Sequence, residues 1–171
     1  MIRYANINDK EQILKIYEDA KELFSTLGYF QWKGTYPGKD NFLSDIKDNK
    51  VLVYDKDGVI TTILTLVIKP DNNYFEIDGK WLNDEAYISI HRNATSKDYY
   101  HQGYSTLLFT EAEKYVLAMG IRNIRIDTHE SNLYMQKMLE KLGYKKCGII
   151  KLLGRTDLDN PYRIAYQKIL K

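Results

Sequence analysis

The chain has 171 residues, 44% hydrophobic and 28% charged, an ordinary globular balance, and a chain this long can bury roughly 70% of its unfolded surface without staples. The net charge of +2, from 25 basic and 23 acidic residues, gives no general reason to expect a nucleic acid or an anionic membrane as partner. Cys147 is the only cysteine, so no internal disulfide can form. With a polar N-terminus lacking a signal-peptide core, this predicts a cytoplasmic protein, and the longest apolar run, around residues 59–68, is far too short to span a bilayer.

Residues 2–5 form the first strand candidate. Asn8 and Asp9 precede a helical pattern, and Glu11 and Gln12 three residues on predict a capping box. Ile13, Ile16, Tyr17, Ala20, Leu23, Phe24 and Leu27 then share one helical face, and Gly28 closes the helix. An irregular segment at 29–39 holds Gln31-Trp32 and Tyr36-Pro37-Gly38, and a short helix follows at about 40–47. Strands at 51–54 and 59–68 meet across Asp55-Lys56-Asp57-Gly58, a hairpin turn by its Asp-Gly pair. After a loop at 69–73, residues 81–85 lead into a strand at 86–95. A helix from about 102 to 119 places Tyr104, Leu107, Leu108, Ala112, Tyr115 and Met119 on its apolar face and ends at Gly120. A strand at 121–128, a helix at about 132–142 with Met135, Met138, Leu139 and Leu142, and a strand pair at 146–153 and 162–170 complete the chain. The order β-α-α-β-β-β-α-β-α-β-β predicts one α/β domain over residues 1–171 on a mixed sheet, with residues 86–128 a right-handed parallel crossover.

The loop Tyr100-His101-Gln102-Gly103-Tyr104-Ser105 lies between that strand and that helix. Backbone N–H groups at a helix start are unpaired, and the helix dipole adds positive character, so such a junction binds phosphate. A glycine lets an anion approach the backbone. A phosphorylated cofactor is therefore predicted here. His91, His101, His129 and Cys147 show no metal-ligand spacing, so no metal is predicted. Cys147 reads as a small core residue, and no P-loop, dinucleotide fingerprint or serine-hydrolase elbow is present.

The element order and this loop together resemble the GCN5-related N-acetyltransferases (GNAT), which move acetyl from acetyl-CoA to an amine. Their cofactor signature is Gln or Arg, two residues, Gly, one residue, then Gly or Ala. Gly103 fits it, while Tyr100 and Ser105 depart from it. Asn132, followed eleven residues later by Gly143-Tyr144, looks like the family's second cofactor segment. Gln31-Trp32, Tyr36-Pro37 and His91-Arg92 resemble an uncharacterised bacterial branch. The resemblance implies a mixed, mostly antiparallel sheet with helices on both faces, and fourth and fifth strands that splay around the cofactor. It implies pantetheine along Asn93, Ala94 and Thr95, pyrophosphate on His101, Gln102, Gly103, Tyr104, Ser105 and Thr106 with Tyr100 opening the loop, and a contact from Asn132. The acceptor is a small-molecule or peptide amine, and the fold leaves room for a homodimer.

An amine acceptor arrives mostly as ammonium and must lose a proton. By period two, Tyr87, Ser89, His91, Asn93 and Thr95 share a strand face. Other members carry a histidine or glutamate base there, which makes His91 the candidate base. The alternative is a histidine that only hydrogen-bonds beneath the acceptor loop. Ser89 stands where some members have glutamate. Leu139 stands where many carry the tyrosine that protonates the leaving thiolate, so Tyr134 on the same helix is the candidate acid, or else a surface or cofactor-packing residue. His129, at the end of its strand, can face the cleft, but suits capping the next helix or supporting a neighbouring site residue better. Trp32 and Tyr36 can line an acceptor pocket or the core, and Trp81 suits the core. A non-catalytic acyl-CoA-binding module is the rival reading.

Overall fold

The computed structural model describes residues 1–29, 31–158 and 160–171. They form β1 (Ile2–Tyr4), α1 (Lys10–Thr26), α2 (Lys39–Lys47), β2 (Val51–Lys56), β3 (Val59–Val67), β4 (Asp78–Gly79), β5 (Tyr87–Thr95), α3 (Tyr104–Ala118), β6 (Asn123–Thr128), α4 (Leu133–Lys141), β7 (Lys145–Lys151) and β8 (Tyr162–Ile169). The fold is α/β with a mixed, mostly antiparallel arrangement, as predicted. The two-residue β4 has no counterpart in the sequence reading. Two compact units emerge, residues 1–66 with 91–112 and residues 67–90 with 113–171, and β5 contributes to both.

In the first unit the strand order is β1-β2-β3-β5. The β2–β3 hairpin turns through Asp57 at φ 53° and Gly58 at φ 88°, the two positive values a type I′ turn requires. Val51, Val53 and Ile63 face α1 and α2 in one apolar cluster with Ile13, Ile16, Tyr17, Phe24 and Phe42. Tyr54 points to the other face, its ring 5.0 Å from that of Tyr104 on α3, so helices cover both faces. The capping box lies two residues earlier than predicted. Asn6 Oδ1 accepts from Asn8 N at 2.9 Å and Asp9 Oδ2 from Asn6 N at 2.8 Å. Asn6-x-x-Asp9 also satisfies the spacing. Gln12 instead grips the hairpin, donating to Gly58 O and accepting from Ile60 N. Leu27 is 60% exposed rather than on the buried face, because it is the capping residue where the helix ends.

Arg3 ties β1 to this unit. Its guanidinium meets Asp9 at 2.7 Å and Asp55 at 2.8 Å. The Arg3 hydrogen bond holds the Asp9 carboxyl below its usual range. The Gly58 N–H, then Arg3, does the same for Asp55. A depressed carboxylate contributes stability above its unfolded pKa, near ~4, and loses it as pH falls through the lower folded value. Arg3→Met is expected to cost about 2 kcal/mol at pH 7, and the deficit should shrink as pH falls from 4 towards 2. Urea denaturation across that range checks this, and a deficit independent of pH contradicts it.

In the second unit the order is β5-β6-β8-β7-β4. β5 and β6 run parallel, as predicted, over a ladder from Tyr87↔Asn123 to Ser89↔Arg125. β6, β8 and β7 are antiparallel. Trp81 is core, in a cluster with Tyr74, Ile150 and Ala165, and half-buried Cys147 packs against that cluster. The Arg125 guanidinium lies over both the Trp81 and Tyr87 rings, 4.3 and 4.1 Å from their centroids. The buried face of α3 is Ser105, Leu108, Phe109, Ala112 and Val116, while Leu107 and Met119 are exposed. Leu107 and Leu117 interrupt the polar side of α3 that holds Thr106, Thr110, Glu113 and Lys114, so the apolar pattern does not fix its rotation.

Candidate active site

The predicted phosphate loop lies immediately before the start of α3. A single 3-10 turn, Lys97–Tyr99, precedes it. His101 at φ 61° and Gly103 at φ 82° are both left-handed, the kind of backbone turn in which successive N–H groups can line an anion-binding concavity. α3 begins at Tyr104, two residues later than predicted. Leu107 N donates to Gly103 O at 3.0 Å, and the N–H groups of the preceding turn, Tyr104, Ser105 and Thr106, point along the axis at the helix start. A Cβ at Gly103 would meet nothing within 4 Å. Glycine is needed there for its backbone conformation, not for space. Beside the loop, the Lys56 ammonium lies 5.4 Å from the Tyr99 ring centroid and 5.7 Å from that of Tyr104. The Tyr104 hydroxyl raises its pKa.

Both departures from the signature are explained by local packing. Tyr100 is turned onto α1, its hydroxyl donating to Asp19 O at 3.4 Å. Burial, then Asp19 and Glu22, raises its pKa. Asp19 also accepts from Lys97 N at 3.3 Å, so α1 holds the loop at two points. Ser105 is buried, and its Oγ donates to Asn93 Oδ1 at 2.9 Å, fastening the helix start to β5. Ser105→Ala is expected to cost about 1 kcal/mol, read from chemical denaturation. Unchanged stability would show the bond to be dispensable.

β5 is not regular. Arg92 sits at φ 50°, so alternation counted from Tyr87 does not carry through to Asn93 and Thr95. This corrects the single-face reading. Asn93 and Thr95 face α3 and β3. Asn93 Nδ2 donates to Ile63 O at 2.9 Å, and the Thr95 hydroxyl donates to Thr62 Oγ1, which donates on to Ala94 O. Arg92 and Ala94 face the α1–α2 layer, Ala94 within its apolar cluster. Arg92 donates through Nε to Asp45 Oδ2 at 2.9 Å and through Nη1 to Tyr36 Oη at 3.2 Å. Trp32 is core, edge-on to Tyr17. His91 is half-buried immediately before the break. The sequence reading missed the Arg92–Asp45–Tyr36 and Thr95–Thr62–Ala94 networks. Only the paired threonines at 61 and 62 in an apolar strand hinted at either.

In the second unit, Asn132 is buried and caps α4, its Oδ1 accepting from Met135 N at 3.1 Å. His129 Nδ1 accepts from Ser131 N at 3.0 Å in the turn before α4, so the cap itself is Asn132 and not His129, and burial, then Arg163, lowers the His129 pKa. Tyr134 is 56% exposed on the first turn of α4, Ser89 is fully buried, and Leu139 is fully buried. Among the described residues, no group of three His, Cys, Asp or Glu is placed to hold a metal. Nor is any helix long and apolar enough to cross a membrane.

Residues 11–144 match the acetyltransferase (GNAT) family. The chain is 32% identical to a GNAT acetyltransferase from Streptococcus agalactiae, covering 100% of this chain and 95% of that one, with a TM-score of 0.85. It is 30% identical to an acetyltransferase from Staphylococcus aureus Mu50, with 100% and 99% covered and a TM-score of 0.75. YncA from Salmonella typhimurium, solved with its cofactor acetyl-CoA, shares the fold at 15% identity, with 100% and 94% covered and a TM-score of 0.73. No curated protein matches the chain. The family match spans β5, the loop and α3, and the chain belongs to the acetyltransferase (GNAT) family.

Proposed function

We propose that the chain, acting as one domain, transfers acetyl from acetyl-CoA to a primary amine of a small molecule or peptide by direct attack in a ternary complex. The observation that carries this reading is the left-handed pair His101 and Gly103 leading into α3, inside the family match. In this reading the pyrophosphate lies on the N–H groups from His101 to Thr106. The pantetheine lies along Asn93, Ala94 and Thr95, as a peptide adds to a strand. A backbone N–H at Ala94 or Thr95 steadies the oxyanion as the amine attacks the thioester carbonyl. His91, directly or through water, takes the ammonium proton, and the thiolate leaves. Asn132 as a cofactor contact enters from the family resemblance, and Tyr134 as thiolate acid from its place on the first turn of α4, the helix that carries Leu139 at the family's acid position. Calorimetric titration with acetyl-CoA and CoA tests the reading: binding is expected, and no heat at millimolar cofactor rules it out.

One observation favours a second reading. Leu139, where many members have tyrosine, is fully buried in the core, so the usual acid position is closed to chemistry. An acyl-CoA-binding module without turnover fits that feature. Intact CoA binding with no acetyl transfer to a broad amine panel would select it.

A further inference from the structure

Arg92 is a non-glycine residue held at φ 50° within a strand, a conformation that L side chains avoid. Asparagine or aspartate could offset it by bonding the local backbone. Arginine's long side chain here bonds away from the strand, so the compensation comes from elsewhere. Its Nε donates to Asp45 Oδ2 at 2.9 Å and its Nη2 lies 2.6 Å from the same oxygen. Nη1 donates to Tyr36 Oη at 3.2 Å. The pair is secluded, with side chains 12% and 8% exposed. Asp45 rides on α2, whose Phe42 shares an apolar cluster with Ala94, so both ends of the ion pair are fixed to one core. A secluded ion pair is by itself weak evidence of stabilisation, because apolar replacements often serve as well. A charged fork with directional bonds does what an apolar contact cannot, which is to fix one backbone geometry.

We propose that Arg92 is a positioning residue: its ion pair with Asp45, closed by the Tyr36 hydroxyl, holds the break in β5 and so aims His91 on one side and residues 93–95 on the other. The break turns Asn93 towards Ser105 and Thr95 towards Thr62. Releasing it lets β5 resume regular alternation and withdraws both contacts. The importance of that aim to catalysis rests on the acetyl-CoA reading above.

Two double variants separate positioning from stability. Arg92→Ala with Asp45→Leu removes the pair without stranding a buried charge. Arg92→Gly with Asp45→Leu removes the same pair but leaves a residue that adopts φ 50° freely. In the first, native-state amide exchange at residues 93–96 is expected to quicken about tenfold or more, and acetyl-CoA to bind about tenfold more weakly by calorimetry. In the second, both quantities should return to within about threefold of the parent protein, because the glycine restores the geometry. Parent-like exchange and affinity in the alanine variant, or no recovery in the glycine variant, overturns the proposal. If leucine at position 45 prevents folding, Asp45→Asn carries the same reading: faster exchange at residues 93–96 supports it and unchanged exchange overturns it. Failure of the parent protein to bind acetyl-CoA sinks the cofactor reading alone, since the exchange measurement needs no ligand.

Discussion

His91→Ala is expected to lower the turnover of an amine acceptor by about 10²- to 10⁴-fold, the usual contribution of a positioned general base, while acetyl-CoA affinity stays within about twofold of the parent value. The split follows from what the side chain is proposed to touch. An alkyl amine has a pKa near ~10 and must lose a proton before it attacks. The cofactor is proposed to be held by backbone groups of residues 93–95 and the loop, which the substitution leaves in place. The sign of the pH dependence is fixed by the same chemistry. At neutral pH the ammonium form dominates and the base is needed. Each unit of added pH raises the free amine about tenfold until its pKa is reached. The deficit of the alanine variant should therefore narrow steadily between pH 7 and 10. Turnover measured across that range with a responsive amine checks both effects. Full activity at pH 7 removes His91 from the mechanism, leaving it the hydrogen-bonding role beneath the acceptor loop.

Most of what local pattern encodes was legible beforehand. The Asp-Gly hairpin, the glycine ends of the helices, the parallel β5–β6 pair and the loop before α3 all follow from spacing and residue type. What escaped depends on long-range partners. Nothing around Arg92 signals a left-handed arginine, because its compensation comes from Asp45, 47 positions away in the chain. The period-two count across β5 therefore ran past a break it could not see. Tyr100 departs from the signature, and its partner is also distant in the chain: its hydroxyl reaches Asp19 on α1. Ser105 likewise gained a reason once Asn93 stood opposite. The rotation of α3 is not encoded locally: Leu107 and Met119, both exposed, fit a helical stripe as well as the buried Phe109 and Val116 do, and only packing against the strands decides between them. The loop before α3 is thus legible in the sequence, while the break in β5 that precedes it is not.

The sharpest test of the loop is Gly103→Val. Gly103 sits at φ 82°, where a β-branched residue is a true outlier, and such strain costs about 1–3 kcal/mol. No atom lies within 4 Å of the Cβ position, so the substitution meets no clash and acts through the backbone alone. The loop can relieve the strain only by leaving the left-handed region, which turns the N–H groups of the following helical turn away from their common direction. Acetyl-CoA affinity is then expected to fall by up to about 10²-fold, the equivalent of that strain. Gly120→Val is the matched control. Gly120 ends α3 at φ 76°, also with nothing within 4 Å, so the thermal destabilisation should be similar while cofactor affinity is unchanged. Calorimetry and thermal melts on both variants separate the two effects. Equal losses of affinity would mean that the glycine only stabilises the fold, and the phosphate-binding role of the loop would fall. Loss confined to Gly103→Val would tie acetyl-CoA binding to the left-handed turn that starts α3.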